Sequence, residues 1–385
     1  MTRSHRLLAA TSAAVLAATL LPAASGTATA DKGRHHGHGG HLRVVADLES
    51  PRGVDNLGPG RTLVSEGDGS FSLVVERRHR DARVIPLGTV PGAASPAIAA
   101  SRRGTVYILT GAGEPGTGAA TLYTWRRGDA EPTALADIAA YQAEDLDPYD
   151  LEELPADSNP YGIAVLGDGS AVIADAAGND VLKVTPEGDI TTLARLMPRT
   201  VAVPDSLPDT DPEGNPLPPA GTQIPAEAVA TSVAVGRDGS VYVGELRGFP
   251  ATPGTSQVWR IAPGAEGADC DPAAPYAGDC TRVADGLTSI VDLAIDRRGV
   301  IYALSLSRLS WLAWELGLEG SEIGSLHALE RTRRGTTARE LFRGRLVNPA
   351  GVDAGGRSLY LTGPIFGPGT LSKATVGRHH HRGRR

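Results

Sequence analysis

Polar side chains recur in this chain at the two ends of short apolar segments. Arg52, Asn159, Tyr161, Thr231, Asp292 and Asn348 precede or open one kind of segment, while Glu66, Asp175, Asn179, Asp180 and Glu245 close or follow a second kind. Gathered in one place, such oxygen donors suit a hard cation such as Ca²⁺. Glu66, Asn159, Asp175 and Asp292 are the four expected to hold it. Arg52, Tyr161, Asn179, Asp180, Glu245 and Asn348 are expected to line the ligand funnel around them. The same residue types have a second use, because Asn and Asp beside strands cap turns through their side chains. Convergent oxygens would mark the first use, and oxygens spent on local N–H groups the second.

Other chemistry is sparse. There is no G-x-S-x-G, no H-E-x-x-H and no P-loop, and between the tails the only histidines are His79 and His327. Two histidine tracts flank the body: His35, His36, His38 and His41 before it, and His379, His380 and His381 after it. Imidazoles from both tracts would suit Zn²⁺, Cu²⁺ or Ni²⁺, although His-rich ends also occur as solubilising tails. Cys270 and Cys280 are the two cysteines, with nine residues between them across a Pro- and Gly-containing turn. In an oxidising compartment such a pair forms a disulfide, and the spacing lacks the C-x-x-C pattern of a redox or metal site.

The elements that position these residues are repeats. An apolar segment, a Gly-centred turn and a second apolar segment appear six times, with turn glycines at Gly60, Gly104, Gly169, Gly239, Gly299 and Gly356. Asp-Gly and Arg-Gly supply the positive φ that a tight hairpin needs. A third strand follows each hairpin, as in Val181-Leu-Lys-Val-Thr and Val258-Trp-Arg-Ile, and a fourth follows most of them. Six units of four antiparallel strands predict an all-β, six-bladed β-propeller over residues 42 to 377. The last unit lacks a fourth strand, while Leu42-Arg-Val-Val-Ala-Asp-Leu stands unassigned ahead of the first hairpin. The N-terminal strand is therefore expected to complete the last blade and close the ring, removing its open edges.

The segments Asp157-Ser-Asn-Pro-Tyr-Gly-Ile, Asp175-Ala-Ala-Gly-Asn-Asp-Val-Leu-Lys-Val, Thr231 to Pro250 and Ser289-Ile-Val-Asp-Leu-Ala-Ile-Asp resemble the ScyD/ScyE family of exported proteins. The resemblance runs over nearly the whole body, with gaps in the insertions. It implies a six-bladed propeller related to NHL-repeat and gluconolactonase-like propellers. In related lactonase and phosphotriesterase propellers, one Glu, one Asn and one Asp near the axis bind a divalent metal, and Glu66, Asn159 and Asp292 stand at plausible equivalents. Two functions follow as expectations. One is a binding or scaffold protein whose funnel face meets a small molecule, glycan or protein. The other is a Ca²⁺-dependent lactonase or esterase in which the metal polarises a carbonyl. A propeller hosts either.

Residues 1 to 30 read as a leader: Arg3 and Arg6, an apolar run from Leu7 to Leu21, and Ala28-Thr29-Ala30 as a cleavage site. A His- and Gly-rich tail, residues 31 to 41, and a His- and Arg-rich tail, residues 378 to 385, frame the propeller. The expected product is an exported monomer without a membrane span. The net charge is −7 over the whole chain, and because the leader (+2) and the two tails (+1 and +4) are basic, the body carries −14, which argues against nucleic-acid binding. Residues 128 to 182 hold 13 carboxylates and no Lys or Arg, and the stretch from Ala140 to Pro155 is expected to be an acidic insertion of a short helix and a loop on the substrate face, serving as a solvated connector, a lid or a weak cation sink. Pro204 to Pro225 is expected to be an irregular loop. Trp311 and Trp314 lie at near-helical spacing and are expected to pack on the disc.

Overall fold

Tight turns organise the chain first. In the third and fourth repeats the glycines of Asp168-Gly169 and Asp238-Gly239 take φ of 102° and 82°. The preceding aspartate fixes each turn by accepting from the Ser170 or Ser240 N–H, at 2.9 and 3.2 Å. A residue with a Cβ would be strained at either glycine. These turns fold Pro160–Val165 onto Ala171–Asp175 and Ala230–Val235 onto Val241–Glu245.

The computed structural model describes residues 41–91, 96–211, 214–333 and 335–376. The leader and every histidine of the two tracts except the exposed His41 lie outside the described residues. Six antiparallel four-stranded ladders follow one another along the chain. Their first strands are Val54–Gly58, Ala97–Ala100, Pro160–Val165, Ala230–Val235, Ile290–Ile295 and Gly351–Gly355, and these contact one another in a closed cycle. The result is the six-bladed propeller. Its core is distributed between blades: Val172, Val181, Val233, Val243 and Trp259, for example, form one buried cluster across blades 3 and 4.

Ring closure follows the sequence pattern. Arg43–Glu49 pairs antiparallel with Pro368–Thr375, from Arg43 opposite Lys373 to Glu49 opposite Pro368. Val45 and Leu48 bury their side chains there. An ionic knot adds to the closure, because Glu76 of blade 1 accepts from Arg43 and Lys373 of blade 6, each at 2.7 Å.

Three expectations about loops and edges need correction. Blade 3 gains a fifth strand, Ala268–Cys270, which runs parallel to Ile190–Leu196 and comes from the loop inside blade 4. The Cys270–Cys280 disulfide, with a Cα separation of 5.0 Å, ties that added strand to the start of the outer strand Cys280–Leu287. The Pro-rich loop is not irregular throughout, since Arg199–Ala202 zips antiparallel onto Gln223–Ala226 at its base. The acidic stretch is more than a solvated connector. The short helix expected there is Ile138–Gln142, capped by Asp137, and polar groups of the stretch dock on blades 3 and 4. Gln142 donates to both oxygens of Asp180 at 3.1 Å, Asn179 donates to Asp147 at 2.9 Å, and Glu227 accepts from the Leu151 N–H at 2.8 Å. Asp145 pairs with Arg195. The helix Trp311–Glu315 packs as expected: Trp311 is buried and its indole N–H donates to the Arg247 carbonyl at 2.7 Å.

Candidate functional site

The first strands of all six blades enclose a central cavity of about 230 Å³. Strand register explains what lines it. In blades 2, 4 and 5 the residue opposite Tyr107, Tyr242 or Tyr302 of the second strand is Ala99, Ala234 or Ala294. In blade 6 the corresponding residue, opposite Tyr360, is Asp353, and in blade 1 it is Asp55. Asp292 of blade 5 stands two residues earlier in its strand than this position. The cavity wall is therefore acidic on blades 5, 6 and 1. On blades 2, 3 and 4 it is aliphatic apart from Tyr161.

Each carboxylate also fastens one blade to the next. Asp292 accepts from the Val352 N–H, Asp353 from the Asn56 N–H, and Asp55 from the Ala100 N–H, all at 2.6 Å. Asp292 and Asp353 accept in addition from the N–H of the residue that follows them, at 2.9 and 2.6 Å. First strands facing a channel have N–H groups with no strand beyond them, and buried donors need partners. The aspartates supply those partners at three consecutive blade junctions.

Burial within the ring disfavours the charged form of all three. It pushes Asp292 up to about 7, against the pull of the two N–H donors and the Arg52 charge. Asp55 rises to about 7 through burial and the neighbouring Asp353, and Asp353 is raised by its own burial. Among the described residues, Arg52 is the one cation on the wall. Its guanidinium donates to the Tyr161 carbonyl and lies 3.7 Å from the centre of the Tyr161 ring. The Tyr161 hydroxyl is buried with no hydrogen-bond partner among the described residues.

The sequence-predicted residues thus divide. Arg52, Tyr161 and Asp292 meet at the cavity, whereas Glu66, Asn159 and Asp175 do not line it. Glu66 accepts from the Glu49 N–H at 2.7 Å. Asp175 is fully buried and accepts from the Ser158 hydroxyl and the Asn159 N–H, both at 2.7 Å, and from Ala177 and Gly178. Burial raises the Asp175 and Asp180 carboxyls. Glu245 accepts from the Trp259 indole, the Gln257 N–H and Arg247. Asn179 and Asn348 hold loops, the first through Val229 and Asp147, the second by accepting from the Trp314 indole at 2.9 Å. Thr231 donates to the Ile290 carbonyl at 2.6 Å and latches blade 4 to blade 5. Asn159 borders a second, smaller cavity of about 150 Å³ beside Glu114 and Asp157.

Asp55 and Asp353 are the site residues that sequence reasoning missed. The signal was present, since Gly53-Val-Asp55 and Gly351-Val-Asp353 repeat one tripeptide at one place in two blades. Among the described residues, no group of three or more His, Cys, Asp or Glu side chains is arranged to hold a metal ion.

Solved structures share this architecture. A glucose dehydrogenase crystal structure superposes with a TM-score of 0.54 at 15% identity, covering 88% of this chain and 100% of that one. The PQQ-bound aldose sugar dehydrogenase of Streptomyces coelicolor gives a TM-score of 0.50 at 15% identity, covering 87% and 98%. The likeness is one of fold. No protein-family profile matches the sequence, and no curated protein matches it. Among the described residues, no helix is long and apolar enough to cross a membrane.

Proposed function

We propose that this chain is an exported binding protein of the ScyD/ScyE type that takes a small molecule into the central channel of a propeller. One observation carries the reading. A cavity of about 230 Å³ is walled by all six blades, and Arg52, Tyr161, Asp55, Asp292 and Asp353 gather there opposite the aliphatic residues of blades 2, 3 and 4. A concavity that holds a few placed polar groups beside aliphatic residues suits a small ligand. The volume suits a ligand far smaller than a protein or a long glycan. Export is supported by the leader pattern of residues 1 to 30 and by the buried disulfide.

A calcium-dependent lactonase acting through Glu66, Asn159, Asp175 and Asp292 has less support. Calcium needs six to eight oxygens converging on one point, and three of these four residues lie away from the channel, with Glu66 and Asp175 accepting from backbone N–H groups. The binding reading is tested by a thermal-shift screen of small-molecule fragments on the intact protein and on Ala164→Phe, with Ala234→Phe as a second plug. Fragments that stabilise the wild type and lose their effect in both folded plugs support the channel. Hits indifferent to both plugs would overturn it.

A further inference from the structure

Resting on the reading of the channel as a ligand site, we propose that its ligand is a small organic cation. An alkyl arm would lie on blades 2, 3 and 4, and an amine or guanidinium head would meet Asp55, Asp292 and Asp353. The wall is built in two halves that match such a molecule. Ile163, Val165 and Val235, all half-buried, are among the aliphatic residues on one side, and the three carboxylates stand on the other. A carboxylate offers about four acceptor sites. Asp292 and Asp353 each use two on backbone N–H groups and Asp55 uses one, so acceptor capacity remains at all three.

Tyr161 closes part of the wall at 6% exposure. Arg52, the one cation on the wall among the described residues, is turned onto the Tyr161 carbonyl and ring, which sets one guanidinium against three carboxylates.

Separation of the acceptors selects an organic cation over a metal ion. Each aspartate is pinned to a different blade junction by a 2.6 Å hydrogen bond. Donors spread along an amine or guanidinium can reach separated acceptors through charge-assisted hydrogen bonds. The charged groups facing the cavity from the six first strands and their leading loops are Asp55, Asp292, Asp353 and Arg52. Burial lets protons neutralise Asp55 and Asp292 near pH 7 and raises Asp353 as well. A cation entering must displace protons, and its affinity must rise with pH.

The test is isothermal titration of the intact protein with n-butylguanidine and with n-butylamine, using 1-butanol as the neutral control, at pH 6 and pH 8. Buffers of different ionisation enthalpy at pH 6 count the protons released. The expected result is binding of at least one cation, roughly tenfold tighter at pH 8, with net proton release at pH 6. Asp55→Asn and Asp353→Asn, which keep an acceptor for the neighbouring N–H, should each weaken it about tenfold or more. The proton count needs no variant, so it stands if a substitution fails to fold. Absence of cation binding, beside a neutral or anionic fragment that the Ala164→Phe plug abolishes, would overturn the cation while leaving the channel site intact. Absence of any plug-sensitive ligand would remove both.

Discussion

Replacing Asp292 by Asn should change how stability depends on pH more than it changes the fold. The side-chain carbonyl of the new amide can still accept from the Val352 N–H, which Asp292 holds at 2.6 Å, but the amide never ionises. In the wild type, burial raises the Asp292 carboxyl from 3.8 to about 7. Between those values the native state binds more proton than the unfolded chain, so the stability contributed by this group falls as pH climbs from about 4 to about 7. A shift of about three units corresponds to about 4 kcal/mol. Screening through the channel-facing surface of Asp292 trims this to about 2–4 kcal/mol. Urea unfolding followed by circular dichroism at pH 4.5, 6, 7 and 8 reads the effect directly. The variant should gain on the wild type by that amount between the first and last pH, because the other raised carboxyls are common to both proteins. Parallel stability curves across the whole range would refute the reasoning and mean that Asp292 is as solvated in the ring as in the unfolded chain.

Two further outcomes follow from the closure and the disulfide. Burial pushes the Glu76 carboxyl up, but Lys373, Tyr360 and Arg43 outweigh it and hold the group below its usual range. The stability it contributes is therefore present above about pH 4.5 and lost on acidification. Glu76→Gln should cost about 1–2 kcal/mol at pH 7 and distinctly less at pH 3, as read by thermal melts at the two pH values. Cys270→Ser with Cys280→Ser opens a loop of ten residues, for which chain entropy gives about 3 kcal/mol. Urea midpoints of the double variant and the wild type measure that loss, and hydrogen exchange should show it concentrated at Ala268–Cys270 and its partner Ile190–Leu196.

The blades were legible because hairpins are local. Asp-Gly turns, alternating apolar segments and the unassigned strand before residue 49 set the blade count and the closure without knowledge of any distant contact. The site was legible only in part. Arg52, Tyr161 and Asp292 stand out as polar residues beside a first strand, but so do Asp175, whose carboxylate turns into its own loop, and Asn159, whose side chain accepts from the Ala112 N–H of blade 2. Sequence cannot distinguish a side chain facing the axis from one folded back on its own turn, because strand register decides it. Asp55 and Asp353 lie inside strands and occupy a position that is Ala in four other blades, including Ala164 of blade 3. The docking of the acidic stretch was hidden for a different reason. Its partners Asn179, Asp180, Arg195 and Glu227 are 32 to 76 residues away in sequence.

The central claim is that small molecules bind in the channel between the aspartates of blades 5, 6 and 1 and the aliphatic wall of blades 2, 3 and 4. A crystal structure of the protein soaked with its tightest fragment hit tests this most directly. Ligand density is expected inside the ring, touching Tyr161 and within hydrogen-bond distance of at least one of Asp55, Asp292 and Asp353. Density confined to the smaller cavity beside Glu114 and Asp157, with the channel free of ligand, would contradict it.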